Sequence, residues 1–290
     1  ASVELNNLNV FVGVNGVGKT NFLSIFRTFA KMSSEQFRFP FYEEEIESIL
    51  HLGSRNTSSF SCALNTETDR YYANFAMKDG VLACLHPDWN WDKFNQLRIH
   101  YYCIHNPNLT GDLPNKKDNK LYSDGGNIAH ILSNYKKYNK MIYQRIISLI
   151  RHMIVEFDDF EINENMEVFW KKKNNNYLFS YYQLSNSCKR IIVLATMILQ
   201  PEKDLPDVLI IDTPDFGLHP ANMEIIAGCI RAASLSCQVI ISTASEYFLD
   251  FFDLHEIVLV ETDKESSVFS RPSVERHGHW LEEYSTGELW

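Results

Sequence analysis

"LNVFVGVNGVGKTNFL", Leu8 to Leu23, decides the fold. A short, mostly apolar run ends on Gly13, and Gly13–Thr20 then spells G-x-x-x-x-G-K-[ST]. Apolar residues follow at the helical positions Phe22, Leu23, Phe26 and Phe29. A strand feeding a glycine-rich turn and then a helix is the setting in which this pattern binds phosphate. The glycines let backbone N–H groups turn inward around an anion, and the helix start adds favourable partial charge. Asn15, Gly16, Val17, Gly18, Lys19, Thr20 and Asn21 are therefore the expected nucleotide-binding residues. Lys19 would reach the β- and γ-phosphates, and the Thr20 hydroxyl would ligate Mg2+. A chance glycine-rich turn is the alternative, and a matching acid downstream argues against it.

That acid lies in "LIIDTPDFGLHP", Leu209 to Pro220. A buried parallel strand that ends at Asp212 brings a carboxylate to the sheet's C-terminal edge, where it holds a metal directly or through water. ATP and Mg2+ are thus the expected cofactors, with Thr20 and Asp212 as metal ligands. In nucleotide hydrolases built this way a second acid usually comes next and polarises the attacking water. Here the next residue is Thr213. A threonine hydroxyl is no general base near neutral pH.

Composition narrows the function classes. The 290 residues suffice for one large α/β domain or two lobes sharing a core. No apolar run approaches the ~20 residues of a membrane span. Six cysteines without CxxC spacing sit mostly in apolar runs, which points to a reduced, cytoplasmic setting. Twenty-seven basic against thirty-seven acidic residues give a formal charge of −10, which excludes a uniformly basic DNA-coating surface but not a local basic strip. No basic-then-apolar leader opens the sequence, and the absence of an initiator Met leads us to expect residues upstream of Ala1.

Along the chain, Ser59–Leu85 alternates in the manner of antiparallel strands, and another strand fits Leu97–Ile104. Phe37–Leu50 reads as a loop entering a short helix. His105–Asn127 reads as a mobile loop whose end, "SDGGN", offers cap chemistry for one long helix over Ile128–Val155. A hairpin with its tip at Lys171–Asn176 follows. The last third alternates helix (Lys189–Leu199), strand (Val208–Asp212), helix (Ala221–Ala233), strand (Gln238–Ser242), short helix (Tyr247–Phe251) and strand (Glu256–Val260). That alternation predicts a parallel sheet covered by helices. "WKKKNNN" at the hairpin tip is read as a solvated turn in preference to a phosphate-contacting fingertip, and "NKKDNK" at Asn115–Lys120 as loop charge. His100, His105, His130 and His152 share no metal-ligand spacing.

Taken together, these segments resemble ABC-type ATPases of the RecF, SMC and OLD group, in particular the compact AAA family ATPases of bacterial anti-phage defence loci. "LNVFVGVNGVGKTNFL" is similar to the group's opening strand, Walker A loop and helix. "LYSDGGNIAHIL" is similar to its Asp-Gly-x-Asn element between lobes, and "IIDTPDFGLHP" to its Walker B and D-loop. "EYSTGELW" resembles its C-terminal Leu-Gly-Glu-Leu-Trp. The resemblance implies an α/β P-loop NTPase with a mostly parallel core sheet, an antiparallel β lobe and a helical insertion. It implies one ABC-type head over residues 1–290, with sub-lobes at 1–104, 105–185 and 186–290. It also implies two heads that sandwich ATP between the P-loop of one and the signature motif of the other. "QLSNSCKR", Gln183–Arg190, stands at the signature, so Ser185 and Arg190 would bind nucleotide in trans, and His219 would be a dimer-facing contact.

Three departures fall on the hydrolysis machinery. Thr213 replaces the Walker B Glu, Ser187 replaces the signature Gly and crowds the approach to phosphate, and Ala244 stands at the switch His. Asp215 and Glu246 are the candidate acids for rescuing turnover; Asp215 already matches the group's own second acid. The binding residues are intact. The resulting expectation is an ATP-Mg2+ switch or scaffold head of a defence complex, with weak or absent hydrolysis, a partner head and a separate effector such as a nuclease. An active ATPase coupled to DNA recognition or repair is the alternative, and a transporter subunit is third. DNA contact stays open, and no membrane association is expected.

Overall fold

The structure, a computed structural model, describes residues 2–32, 50, 53, 55–78, 81–84, 91–94, 96–104, 120–264, 266–273 and 283–290. The elements expected at Phe37–Leu50 and most of His105–Asn127, with nearly all of the Asn115–Lys120 stretch, lie outside these residues. In chain order the elements begin with β1 (Leu8–Val12), α1 (Lys19–Met32), β2 (Ser59–Asn65), β3 (Arg70–Lys78), β4 (Val81–Cys84), α2 (Trp91–Phe94) and β5 (Ile99–Cys103). They continue with α3 (Ile128–Tyr138), α4 (Lys140–Met153), β6 (Phe157–Ile162), β7 (Val168–Lys172), β8 (Leu178–Ser180) and α5 (Asn186–Ile198). Last come β9 (Val208–Asp212), α6 (Pro220–Ala233), β10 (Gln238–Thr243), α7 (Glu246–Leu249), β11 (Ile257–Asp263), β12 (Ser266–Ser270) and α8 (Thr286–Leu289). The chain forms two compact units, Ala1–Val17 with Tyr101–Trp290, and Gly18–His100.

The first unit is built on a six-stranded sheet of order β12-β11-β1-β10-β9-β5. β1 pairs in parallel with β10 and β11, and β9 in parallel with β10, while β12 runs antiparallel to β11. All five residues of β1 and of β9 are buried. Strands buried on both faces need near-continuous apolar sequence, which "VLII" supplies. Alternate residues Val10, Val12, Leu209, Ile211, Val239 and Ile241 face a helical core. α5 is buried along Arg190–Ile198, and α4 presents the stripe Ile142, Tyr143, Ile146, Ile147, Ile150 and Met153 to that core. Each such side chain contributes about 1.5–3 kcal/mol by leaving water.

The helix expected over Ile128–Val155 is two helices. Asn139, at φ −142° and ψ 68°, breaks it, and its side chain accepts from the Ile142 N–H at 3.3 Å. An asparagine that offers the backbone a local partner competes with continued helix and favours a cap. The cap expected from "SDGGN" is also different: Asn127 makes no side-chain cap to α3. Its Oδ1 accepts from the Tyr122 N–H at 2.8 Å and its Nδ2 donates to the Lys120 carbonyl at 2.7 Å, closing the turn that precedes the helix. β6 precedes the hairpin and completes the sheet β6-β7-β8, with an irregularity between Phe157 and Asp159. The acidic pair Asp158–Asp159 hides that strand from a period-2 reading.

In the second unit β2, β3 and β4 form an antiparallel sheet, as the alternation predicts. Tyr71, Ala73 and Phe75 alternate inward on β3. The Phe94 ring packs against Phe29 of α1 and against Tyr71, with centroids 6.0 and 5.1 Å apart.

Asn127 is 3% exposed and holds two backbone groups. We expect Asn127→Ala to lose about 2 kcal/mol of stability in urea unfolding, because both backbone groups are left without their partner. An unchanged midpoint would show the turn to be self-supporting.

Candidate functional site

Register brings the site's first-unit residues to one edge. Val12 pairs with Thr243, Phe11 with Ser242, and Ser242 with Asp212. Three neighbouring parallel strands therefore finish together, and the segments that follow them, Gly13–Val17, Ala244–Ser245 and Thr213–His219, leave from the same C-terminal edge. This is where open α/β sheets bind ligands.

Gly13 has no room for a side chain, since a Cβ there would run into the Val260 carbonyl and the Val17 side chain. Gly16 and Gly18 hold φ of +90° and +100°, the region that favours glycine. Val14, Asn15 and Gly16 are exposed, and the Val17 carbonyl accepts from Ser267 Oγ of β12 at 2.6 Å. In the second unit the Phe22 N–H donates to the Gly18 carbonyl at 2.9 Å, which starts α1. Lys19 is buried, whereas Thr20 and Asn21 are exposed.

Asp212 is 2% exposed. Its Oδ1 accepts a short hydrogen bond from Ser242 Oγ, and among the described residues its Oδ2 meets the Tyr101 hydroxyl at 3.4 Å. Among the described residues no Lys or Arg pairs with it. A buried carboxylate is costly unless a cation or further donors meet it, so this residue fits a bound Mg2+. Thr213 follows with φ +50°, a strained conformation for a β-branched residue. Its N–H donates to Ser242 Oγ at 3.1 Å, and its own hydroxyl is buried with no hydrogen-bond partner among the described residues. Asp215 is buried within the turn, while Ala244 and Glu246 are exposed, Glu246 as the first residue of α7.

The signature residues meet the D-loop of their own chain. Ser185 is exposed and caps α5, accepting from the Cys188 N–H at 3.2 Å. Ser187 Oγ donates to the Gly217 carbonyl at 2.7 Å, so its hydroxyl is engaged within the chain. Arg190 is buried: Nε donates to the Ile104 carbonyl at 2.8 Å, Nη1 to the Phe216 carbonyl at 2.7 Å, and the guanidinium lies 4.4 Å from the Phe216 ring centroid. Burial lowers its pKa from the ordinary guanidinium value. His219 is the exposed N-cap of α6, with Nδ1 accepting from the Ala221 N–H at 3.3 Å. At the hairpin, Lys171 pairs with Glu161 and Lys172 with Glu156, at 3.0 and 2.6 Å.

Sequence reading missed Ser242 and Tyr101. Ser242 stands in plain view, but its tie to Asp212 exists only once β9 and β10 are placed in register.

The family described as "AAA domain, putative AbiEii toxin, Type IV TA system" matches residues 83–250, more than half of the chain. The chain belongs to this family. Solved SMC heads share its fold. One, an SMC head bound to the C-winged helix domain of ScpA, is 15% identical with a TM-score of 0.63, covering 96% of this chain and 94% of its own. Another, an Smc head with an extended coiled coil bound to the C-terminal domain of ScpA from Pyrococcus furiosus, is 13% identical with a TM-score of 0.62, covering 97% and 94%. No curated protein matches. The chain is thus an AAA-domain protein with an SMC head-like fold and a parallel-dominated core sheet. No helix among the described residues is long and apolar enough to cross a membrane.

Within this AAA-domain head, Thr213 combines a left-handed backbone with a buried hydroxyl. We expect Thr213→Gly to raise stability by about 1 kcal/mol, relieving both the backbone and the unpartnered hydroxyl. Thermal unfolding checks this; a lower midpoint would mean that the threonine side chain contributes packing that outweighs its strain.

Proposed function

We propose that the protein is an ATP- and Mg2+-binding head that acts as a switch or scaffold, with weak or absent hydrolysis, in a bacterial anti-phage defence complex. The observation that carries this reading is the Asp212–Thr213 edge. The carboxylate suited to the cation is present and buried, and the following residue offers a hydroxyl in place of an acid. In this reading Lys19 binds the β- and γ-phosphates, the loop Asn15–Asn21 wraps them, and Thr20 and Asp212 serve Mg2+. When bound, the cation neutralises phosphate charge. Thr213, Ala244 and Ser187 replace the groups that activate water or approach the γ-phosphate, each loss costing on the order of 10²-fold. Asp215 is buried in its turn and Glu246 heads an exposed helix start, so neither is offered as a substitute base.

The assembly we infer pairs two heads. Ser185 is exposed at the N-terminus of α5 and suits a partner's phosphate, while Arg190 contributes through the D-loop it holds. A long-lived nucleotide would then stabilise the assembled form by mass action. The defence setting is supported by the family's description as a toxin of a toxin–antitoxin system. A separate effector, such as a nuclease, would supply the output.

ATP binding and phosphate release by the purified chain, alone and with its genomic neighbours, test this. We expect tight binding lost in Lys19→Ala, little phosphate release, and almost no gain in Thr213→Glu, because Ala244 and Ser187 remain. Brisk hydrolysis by the wild type that disappears in Lys19→Ala would overturn the reading in favour of an active ATPase.

A further inference from the structure

Ser242 is fully buried on β10, in register with Asp212 of the neighbouring strand. Its hydroxyl serves two neighbours at once. The single O–H proton goes to Asp212 Oδ1, and Oγ accepts the Thr213 N–H. The terminal torsion of an aspartate is broad and roughly two-fold, so rotamer preference alone does not decide which oxygen faces which way. A donor fixed by strand register does decide it. Among the described residues, Oδ2 has the 3.4 Å contact from Tyr101, too long for a strong O–H···O⁻ bond.

We propose that Ser242 is a positioning residue: it commits Asp212 Oδ1 to the protein and leaves Oδ2 to serve the cation. The inference rests on the reading of Asp212 as a Mg2+ carboxylate. The same hydroxyl satisfies the backbone N–H of Thr213, which sits in the left-handed region. A buried N–H there needs a partner. One side chain thus sets both the carboxylate's orientation and the sharp turn that follows it.

Mn2+ affinity separates this role from plain packing. The full chain is loaded with a non-hydrolysable ATP analogue and titrated with Mn2+, followed by electron paramagnetic resonance. Binding of the analogue in EDTA serves as the control for folding. We expect Ser242→Ala to weaken Mn2+ binding about tenfold, as losing the partner of a metal ligand does, with analogue binding in EDTA unchanged. Ser242→Thr keeps the hydroxyl and should stay close to the wild type. Mn2+ affinity unchanged in Ser242→Ala but reduced in Asp212→Asn would overturn the positioning role alone. An equal loss in Ser242→Ala and Ser242→Thr would also overturn it, since the hydroxyl would then not be the cause. Affinity unchanged in Asp212→Asn would remove Asp212 as a cation ligand, and the proposal with it.

Discussion

The parallel register of β1, β10 and β9 is the constraint on which the site depends. Because Val12, Thr243 and Asp212 end adjacent strands, the glycine-rich turn and the buried carboxylate leave from one edge of one sheet. A parallel pair fixes which residues are level, and a slip of one residue would turn every side chain to the opposite face. The slip is opposed by the core: alternate residues of β1, β9 and β10 pack on the helices of the first unit, and misplacing them together would cost about as much as a domain's net stability. Packing of ordinary aliphatic residues is therefore what places the charged one.

The P-loop, the strand ending at Asp212 and the βα alternation of the last third were legible because each is a local pattern with its own period. Val208–Asp212 is predicted and found with the same bounds. The break at Asn139 was not, because an apolar stripe continues through it and only a side-chain bond to the Ile142 N–H decides the matter. β6 and β12 escaped for a different reason. Their sequences, "FDDFEI" and "SSVFS", carry too many polar residues to announce a strand, and tertiary pairing overrides the weak local signal.

At the site, sequence supplies residue types and the fold supplies their company. Asp212 could be named from sequence; that its oxygens have unequal partners could not. Arg190 shows the same limit from the other side. Its motif implies a nucleotide partner across a dimer, yet in this chain the guanidinium holds the Ile104 and Phe216 carbonyls and stacks on the Phe216 ring. A buried cation so engaged orders the turn between β9 and α6, the segment that would face the second head in the proposed assembly.

Ser187 extends that argument. Glycine at this position allows close approach of backbone to a phosphate, and a serine there reads at first as an obstruction. The hydroxyl in fact reaches the Gly217 carbonyl, one residue beyond the carbonyl held by Arg190. Gly217 has φ +72°, a conformation that favours glycine, and a Cβ there would crowd the Arg190 guanidinium, so glycine suits the turn that lies against α5. Two side chains of one helix thus hold consecutive carbonyls of one turn. The start of the signature helix and the D-loop are joined more firmly than a glycine would allow, and a movement of either must carry the other. For the two-head switch proposed above, segments that move together favour staying clamped over cycling, and the missing acid after Asp212 points the same way.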